Sequence, residues 1–198
     1  RVYWKKVYEI PEAGRTARGK ALVNFLEISA EETVADIMRV REFGEDQYLV
    51  MATEQGIVKK TVLSAYKNMR SAGIIGIAID EGDRLIGVKL TQGSDEVLLT
   101  TRLGMSIRFA ETQLRNQGRT TRGVRGIAIG TDDFVVGVCV VDPGGALMTI
   151  TVNGYGKRTE FSEHRLQGRG GKGIIAIQTT DRNGHVVCAH PVHNEDAL

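Results

Sequence analysis

Short runs of alternating apolar and polar residues, separated by glycine and aspartate, recur along most of the chain. Between Gly73 and Phe109 the runs are GIIGIAI, RLIGVKLT, EVLLTT and MSIRF, and the segments DEGD, QGSD and RLG separate them. A period of two is typical of β-strands with one buried face, and glycine with aspartate favours tight turns. This stretch therefore predicts four short strands in one antiparallel sheet.

The same pattern repeats with a period of about 50 residues. Four segments, RGKALVNF, AGIIGIAI, RGVRGIAI and GGKGIIAI, align without gaps, and their leading glycines are Gly19, Gly73, Gly123 and Gly171. A second set of glycines recurs at spacings of 48 and 50 residues, namely Gly56, Gly104 and Gly154. A large basic residue stands four positions after each of this second set, at Lys60, Arg108 and Arg158. Two independent markers thus give one period.

A four-stranded sheet of this size cannot bury its apolar face alone, so successive sheets are expected to stack radially. The sequence predicts an all-β, propeller-like domain over residues 1–198, with about four blades built of four-stranded antiparallel sheets. We expect the end of one repeat at 1–14, whole repeats at about 15–66, 67–116 and 117–164, and the start of another at 165–198. The chain opens at Arg1 in a run, RVYWKKVYEI, that reads as a strand. We therefore expect it to be a fragment of a longer protein.

Longer motifs in the repeats resemble a known family. The segments IPEAGRTARGKALVNFL, LVMATEQGIVKKTVL, RTTRGVRGIAIG, VNGYGKRT and QGRGGKGIIAIQTTDRNG are similar to the C-terminal domain of the bacterial DNA gyrase A protein. The resemblance runs from about Val2 to Val192. It implies a β-pinwheel, a disc of typically about six blades in which each blade borrows a strand from its neighbour.

The resemblance also implies a function. The basic perimeter of the disc would wrap double-stranded DNA beside the cleavage core and so support ATP-dependent negative supercoiling. The partners would be DNA, the remainder of gyrase A and the ATPase protein, gyrase B, and the catalytic groups would lie outside this chain. The family's gyrase box, Q-R-R-G-G-K-G, has its nearest match at 167–173, which lacks one arginine. We expect the true box to lie in sequence outside this chain.

Charge supports an anion-binding role for the middle of the chain. Residues 101–173 carry 11 basic and 6 acidic side chains, whereas residues 1–100 carry 14 and 15. The cations cluster in the connectors before the leading glycines and in the last hairpin of each repeat, so radial stacking would place them on one rim. Neutralising phosphates in this way releases counterions and requires no reading of bases. The predicted DNA-binding residues are Arg15, Arg18, Lys20, Lys59, Lys60, Arg70, Arg108, Arg119, Arg122, Arg125, Lys157, Arg158, Arg165, Arg169 and Lys172.

Two alternatives to gyrase remain open at this point. One is the related disc of topoisomerase IV, and the other is a propeller that binds proteins, since a blade architecture does not specify its partner. An enzyme is a weaker alternative, because no nucleophile, base and metal-ligand set converges in the sequence. The chain therefore predicts a sequence-tolerant DNA-binding domain without a catalytic site.

Other signals predict no cofactor and no metal. Cys188, His190 and His193 have a metal-compatible spacing, but strand residues followed by a loose end explain them more simply. The Gly-Lys pairs lack the serine or threonine of a phosphate-binding P-loop. Two cysteines outside any C-x-x-C pair and the absence of a long apolar run predict a cytoplasmic protein that does not bind membranes, and the resemblance to gyrase A implies association with the nucleoid.

Overall fold

The computed structural model describes residues 1–29, 31–68 and 70–197. In that part of the chain the regular structure consists of β-strands and short 3₁₀ helices. The strands are β1 (Tyr48–Thr53), β2 (Ile57–Val62), β3 (Leu85–Thr91), β4 (Glu96–Thr101), β5 (Met105–Ala110), β6 (Val124–Arg125), β7 (Val135–Val140), β8 (Ala146–Thr151), β9 (Gly156–Glu160), β10 (Ile174–Ile175) and β11 (Val186–Val192). The 3₁₀ helices are Val7–Glu9, Leu22–Asn24, Leu63–Tyr66, Glu111–Gln113 and Phe161–Glu163. The all-β prediction is confirmed, and no described helix is long and apolar enough to cross a membrane.

The strands form three antiparallel sheets. Their orders are β3-β1-β2-β6, β10-β5-β4-β7 and β11-β8-β9. In each of the first two sheets, one edge strand is only two residues long and comes from a later part of the chain. Val58 pairs with Val124 in the first sheet, and Ser106 pairs with Ile174 in the second. Each of these sheets therefore borrows a strand.

A repeated turn joins the two strands of one hairpin in each sheet. The turns Thr53–Gly56, Thr101–Gly104 and Thr151–Gly154 are each closed by a hydrogen bond of 3.0 Å from the glycine N–H to the threonine carbonyl. The glycines have φ values of 77°, 84° and 80°, a left-handed conformation that costs other residues energy. This turn is the physical origin of the second glycine marker in the sequence.

The sheets stack face to face, and both faces of their central strands are buried. Val50 and Ala52 of β1 pack against Val97 and Leu99 of β4 in a cluster between the first and second sheets. The opposite face of β4 presents Leu98 to a second cluster, which joins the second sheet to the third. Buried on both sides, these strands are almost continuously apolar, as stacked sheets require.

The opposite face of β1 is covered by the first 46 residues, which contain no strand in their described part. Met51 belongs to a cluster that also includes Val2, Met38 and Phe43. The predicted opening strand is wrong, since it contributes a 3₁₀ helix and a single bridge between Val2 and Ile74. That bridge repeats the pairing of Val58 with Val124, so the opening keeps the phase of the repeat.

The predicted first strand of each repeat is much shorter than expected. In RGVRGIAI only Val124–Arg125 is a strand, because the N–H groups of the next two residues, Gly126 and Ile127, both donate to the carbonyl of Gly56. The chain thus bends around the neighbouring turn instead of extending along it.

The alignment of the fourth leading glycine is wrong by two residues. Gly173, not Gly171, precedes the borrowed strand β10, as Gly123 precedes β6. A Cβ at Gly123 would lie 2.5 Å from the carbonyl oxygen of Val58, and one at Gly173 would overlap the carbonyl oxygen of Ser106. The close crossing of two backbones explains why glycine stands at both positions, and it makes the last spacing 50 residues.

Candidate nucleic-acid interface

The cationic connectors follow one another along the side of the domain where the borrowed strands lie. Hydrogen bonds link the stretch after Gly76 to the connector 118–123, since the Ala78 N–H donates to the Thr121 carbonyl at 3.0 Å. The stretch that follows this connector is linked in turn to the segment 168–173, because the Ala128 N–H donates to the Gly171 carbonyl at 2.8 Å. Charges that are far apart in sequence therefore share one continuous edge.

Most of the predicted DNA-binding residues are exposed on the structure. The connectors bring together Arg119, Arg122, Arg125, Arg169 and Lys172, of which Arg119 is half-buried and the others are exposed. The remaining exposed members are Arg15, Arg18, Lys20, Arg70, Lys157, Arg158 and Arg165. The first three lie in the part of the chain that precedes the sheets, apart from the two linked connectors. Three other members, on β2 and β5, are buried or half-buried and require correction.

Lys59 is buried, contrary to its prediction as a DNA contact. Its side chain is 0% exposed, and its ammonium donates to the carbonyls of Gly76, Gly118 (3.1 Å) and Arg119 (2.6 Å). Burial, and then the nearby charge of Arg119, lower the pKa of Lys59 to about 8. Lys59 contacts the inner side of the connector and not the solvent.

Lys60 is also withdrawn from the predicted interface. Its ammonium lies 2.9 Å from Oε1 of Glu111, whose side chain is 0% exposed, and sits over the ring of Tyr48. Glu111 belongs to the 3₁₀ helix after β5, so the ion pair joins the first sheet to the second. Lys60 therefore acts as a bridge between sheets. Because its charge is already neutralised, it is not available as a DNA contact.

Arg108 occupies the same position in the second sheet and makes an analogous bridge. Its guanidinium pairs with Glu96 at 2.5 Å and donates to the carbonyls of Phe161 (2.6 Å) and His164 (3.2 Å), at the 3₁₀ helix after β9. Its side chain is 18% exposed. The repeated basic position four residues after the turn glycine is therefore used to tie one sheet to the next.

The third residue at this position, Arg158, is exposed together with its neighbour Lys157. In the described residues no strand pairs with the outer edge of β9, and Arg158 makes no ion pair of the kind seen for Lys60 and Arg108. The same sequence position is thus buried on β2, half-buried on β5 and open on β9.

Two exposed arginines already have protein partners. Arg122 donates from Nε to Oδ2 of Asp80 at 2.6 Å, an ion pair in which both side chains are about half exposed. Arg169 donates to the main-chain carbonyls of Gln113 (3.1 Å) and Arg125 (3.1 Å). Carbonyl contacts leave the charge of Arg169 free for an anion, whereas Arg122 must release Asp80.

Sequence reasoning missed the residues that organise these cations. Glu111, Asp80 and Gln113 each contact a basic residue that lies at least 42 positions away. A buried histidine, His164, also lies beside the cations and accepts or donates a hydrogen bond with the Ser106 hydroxyl at 3.0 Å. Burial, followed by the charges of Lys157 and Arg108, lowers the pKa of His164, so its ring is neutral at neutral pH. No local motif marks any of these positions.

With this geometry described, comparison with known proteins identifies the family. The sequence matches the profile of the DNA gyrase C-terminal domain, a beta-propeller, over residues 1–41, 47–92, 95–142 and 146–192. The chain belongs to the family of DNA gyrase C-terminal domains. The matched segment 47–92 holds β1 to β3, and the matched segment 146–192 holds β8 to β11.

Relatives of this gyrase domain agree in sequence and in fold. It is 50% identical to the DNA gyrase A protein of Salmonella typhimurium over 120 residues, which cover 61% of this chain and 14% of that protein. A solved structure of a DNA gyrase A C-terminal domain matches with a TM-score of 0.85 at 24% identity, over 98% of this chain and 63% of that one. The C-terminal domain of DNA topoisomerase IV matches with a TM-score of 0.82 at 24% identity, over 89% of this chain and 55% of that one. The structural likenesses show the fold, and the sequence match favours gyrase over topoisomerase IV.

Proposed function

We propose that this gyrase domain binds double-stranded DNA along its cationic connectors without regard to base sequence, and that it bends the duplex around its perimeter. The observation that carries the proposal is the continuous edge formed by the connectors 118–125 and 168–173. Membership of the gyrase family supports it.

The chemistry of this edge suits the phosphate backbone. Arginine and lysine on irregular connectors neutralise phosphates and release counterions, which gives affinity without base specificity. Bending a duplex whose persistence length is about 150 base pairs costs energy, so many contacts along a curved row are needed to offset it. Exposed cations on successive connectors and on β9 supply such a row.

In the full enzyme, the domain would present the bent segment to the cleavage core in the rest of gyrase A. DNA cleavage and ATP hydrolysis would then take place elsewhere in the enzyme, and this chain would bias which segment is passed, in support of negative supercoiling. The domain is proposed as an accessory DNA-binding unit of a type II topoisomerase, working with the ATPase protein, gyrase B.

Fluorescence anisotropy tests the proposal. Two labelled duplexes of unrelated sequence, about 40 base pairs long, are titrated with the chain at about 50 to 300 mM salt. Equal affinities are expected for both, with a slope of log affinity against log salt near −7 if about eight phosphates are contacted. Absence of binding at the lowest salt, or a strong preference for one sequence, would refute sequence-tolerant binding.

A matched pair of variants locates the binding surface. Lys157→Gln removes an exposed cation on β9, and the slope should weaken by about 0.9. Lys89→Gln makes the same chemical change on β3, where Lys89 pairs with Asp36 at 3.2 Å. We expect Lys89→Gln to leave the slope unchanged, and equal effects of the two variants would contradict the assigned surface.

A further inference from the structure

We propose that Lys59 is a positioning residue for DNA binding: its buried ammonium fixes the connector at Gly118 and Arg119 and so sets where Arg119 and Arg122 meet the phosphates. The inference rests on the proposed DNA-binding function. Lys59 itself would touch no DNA.

The hydrogen-bonding capacity of Lys59 is matched by its surroundings. A lysine ammonium has three donors, and Lys59 faces three carbonyl oxygens, those of Gly76, Gly118 and Arg119. Two of these belong to the connector 118–123, and the third belongs to the stretch that follows the preceding connector. One side chain on β2 therefore ties two successive connectors to a rigid strand.

Other contacts hold the connector on either side of these two carbonyls. Before them, the Gln117 N–H donates to the Lys60 carbonyl at 2.9 Å, and after them the Thr121 carbonyl accepts from the Ala78 N–H at 3.0 Å. Within the described part of the chain, the contacts to the Gly118 and Arg119 carbonyls from outside the connector come from Lys59. The side chains of Arg119 and Arg122 extend from this stretch of the connector.

The second sheet shows that the fold itself does not need a lysine here. β5 aligns with β2 so that Ile107 takes the place of Lys59, and Ile107 is equally buried. The next connector is held by a different device, because the amide oxygen of Gln113 accepts from the Arg169 N–H at 2.8 Å. An apolar residue fills the equivalent position of the second sheet, so the buried charge of Lys59 serves the connector and not the core.

The charged state of Lys59 can be changed without mutation. Two titratable groups face the ammonium or its carbonyl cage: Arg119, and Tyr66, whose hydroxyl donates to the Gly76 carbonyl at 3.2 Å. Burial raises the pKa of Tyr66 above its ordinary value, so the hydroxyl does not titrate near pH 8. Lys59, with its pKa of about 8, loses its proton there and with it one donor and the charge.

The test replaces Lys59 by the residue that the second sheet uses. Lys59→Ile should lower the DNA affinity about tenfold, because binding must then order a loose connector. Its salt slope should stay that of the unmodified chain, whereas Lys157→Gln, which removes an exposed cation, should weaken the slope by about 0.9. Unchanged affinity of Lys59→Ile, or a slope weakened as in Lys157→Gln, would overturn the proposal.

Two further measurements test the proposal in other ways. The first changes pH in place of the residue, and the second does not use DNA. For the unmodified chain, DNA affinity should fall between about pH 7 and pH 9 as Lys59 deprotonates, and Lys59→Ile should show a flat profile. Trypsin should cleave Lys59→Ile faster after Arg119 and Arg122, with unchanged cleavage after Arg165 in the next connector. If the unmodified chain binds no DNA, the proposed function fails, but the cleavage pattern still decides whether Lys59 fixes the connector; unchanged cleavage rates would refute it.

Discussion

The buried carboxylate of Glu111 allows a sharp test of how the sheets are held together. Its Oε1 accepts from the Thr91 hydroxyl at 2.7 Å and lies 2.9 Å from the Lys60 ammonium. Its Oε2 accepts from the N–H groups of Gly93 (3.1 Å) and Asp95 (3.2 Å). Every group around the two oxygens donates, so a carboxylate fits the site and an amide does not.

Replacing Glu111 by glutamine should therefore destabilise the chain strongly. In either orientation of the amide, its NH₂ group faces donors, and the Lys60 ammonium loses its counter-charge while remaining buried. Removing one partner of a buried ion pair costs about 3–5 kcal/mol. For a chain of 198 residues, that free energy corresponds to a fall in Tm of about 6–20 °C.

Thermal unfolding followed by circular dichroism measures this effect. The matched control is Glu54→Gln, which removes the partner of Arg84 from an ion pair of 2.8 Å. Arg84 is 71% exposed there, so the control should lose less than about 1 kcal/mol. A Glu111→Gln variant that unfolds within about 2 °C of the Glu54→Gln control would refute the argument that Lys60 and Glu111 join the sheets.

Three further predictions address charge, pH and backbone geometry. Asp80→Asn should raise DNA affinity and steepen the salt slope by about 0.9, since Arg122 would be released for a phosphate; an unchanged slope in the anisotropy titration would contradict this. Stability should fall as pH drops below about 6.5, because the lowered pKa of His164 means that the unfolded chain binds a proton before the folded chain does; thermal melts of His164→Gln should lack that part of the pH dependence. Gly104→Ala should be at least twice as destabilising as Gly154→Ala in urea titrations: both have positive φ, worth about 1 kcal/mol, but a Cβ at Gly104 would overlap the carbonyl oxygen of Ile177 and one at Gly154 has nothing within 4 Å. Equal midpoints for the two glycine variants would show that the backbone crossing is unimportant.

The repeat and the fold class could be predicted because they depend on local chemistry. A threonine and a left-handed glycine close one hairpin in each sheet, and the same glycine spacing marks every sheet. The length of the borrowed strands could not be predicted in this way. Val124–Arg125 pairs with a strand about 65 residues earlier, and its length is set by the turn at Gly56, which diverts the chain after two residues. Periodicity showed that apolar residues were present, but not where their hydrogen bonds would end.

The candidate interface was less predictable than the fold, because a charge does not reveal its burial. Lys59 and Lys60 are adjacent on β2 and point to opposite faces, yet both are buried, since a strand between two stacked layers has no solvent face. Their partners, a group of carbonyls and Glu111, come from connectors and from the next sheet. Sequence could show that basic residues recur, and only the packing shows which of them are neutralised.

This division between cations limits how the domain can bind DNA. A cation that is buried against a carboxylate releases no counterions when a phosphate approaches, so Lys60 should add nothing to the salt slope. The slope must come from exposed residues such as Arg125, Lys157 and Lys172, with Arg122 contributing only when Asp80 is displaced. We therefore propose that the basic residues act in two layers. An inner layer joins sheet to sheet and fixes the connectors, and the outer layer that it positions is left to neutralise DNA; a salt slope that counted every basic residue of the repeats would show that these layers do not exist.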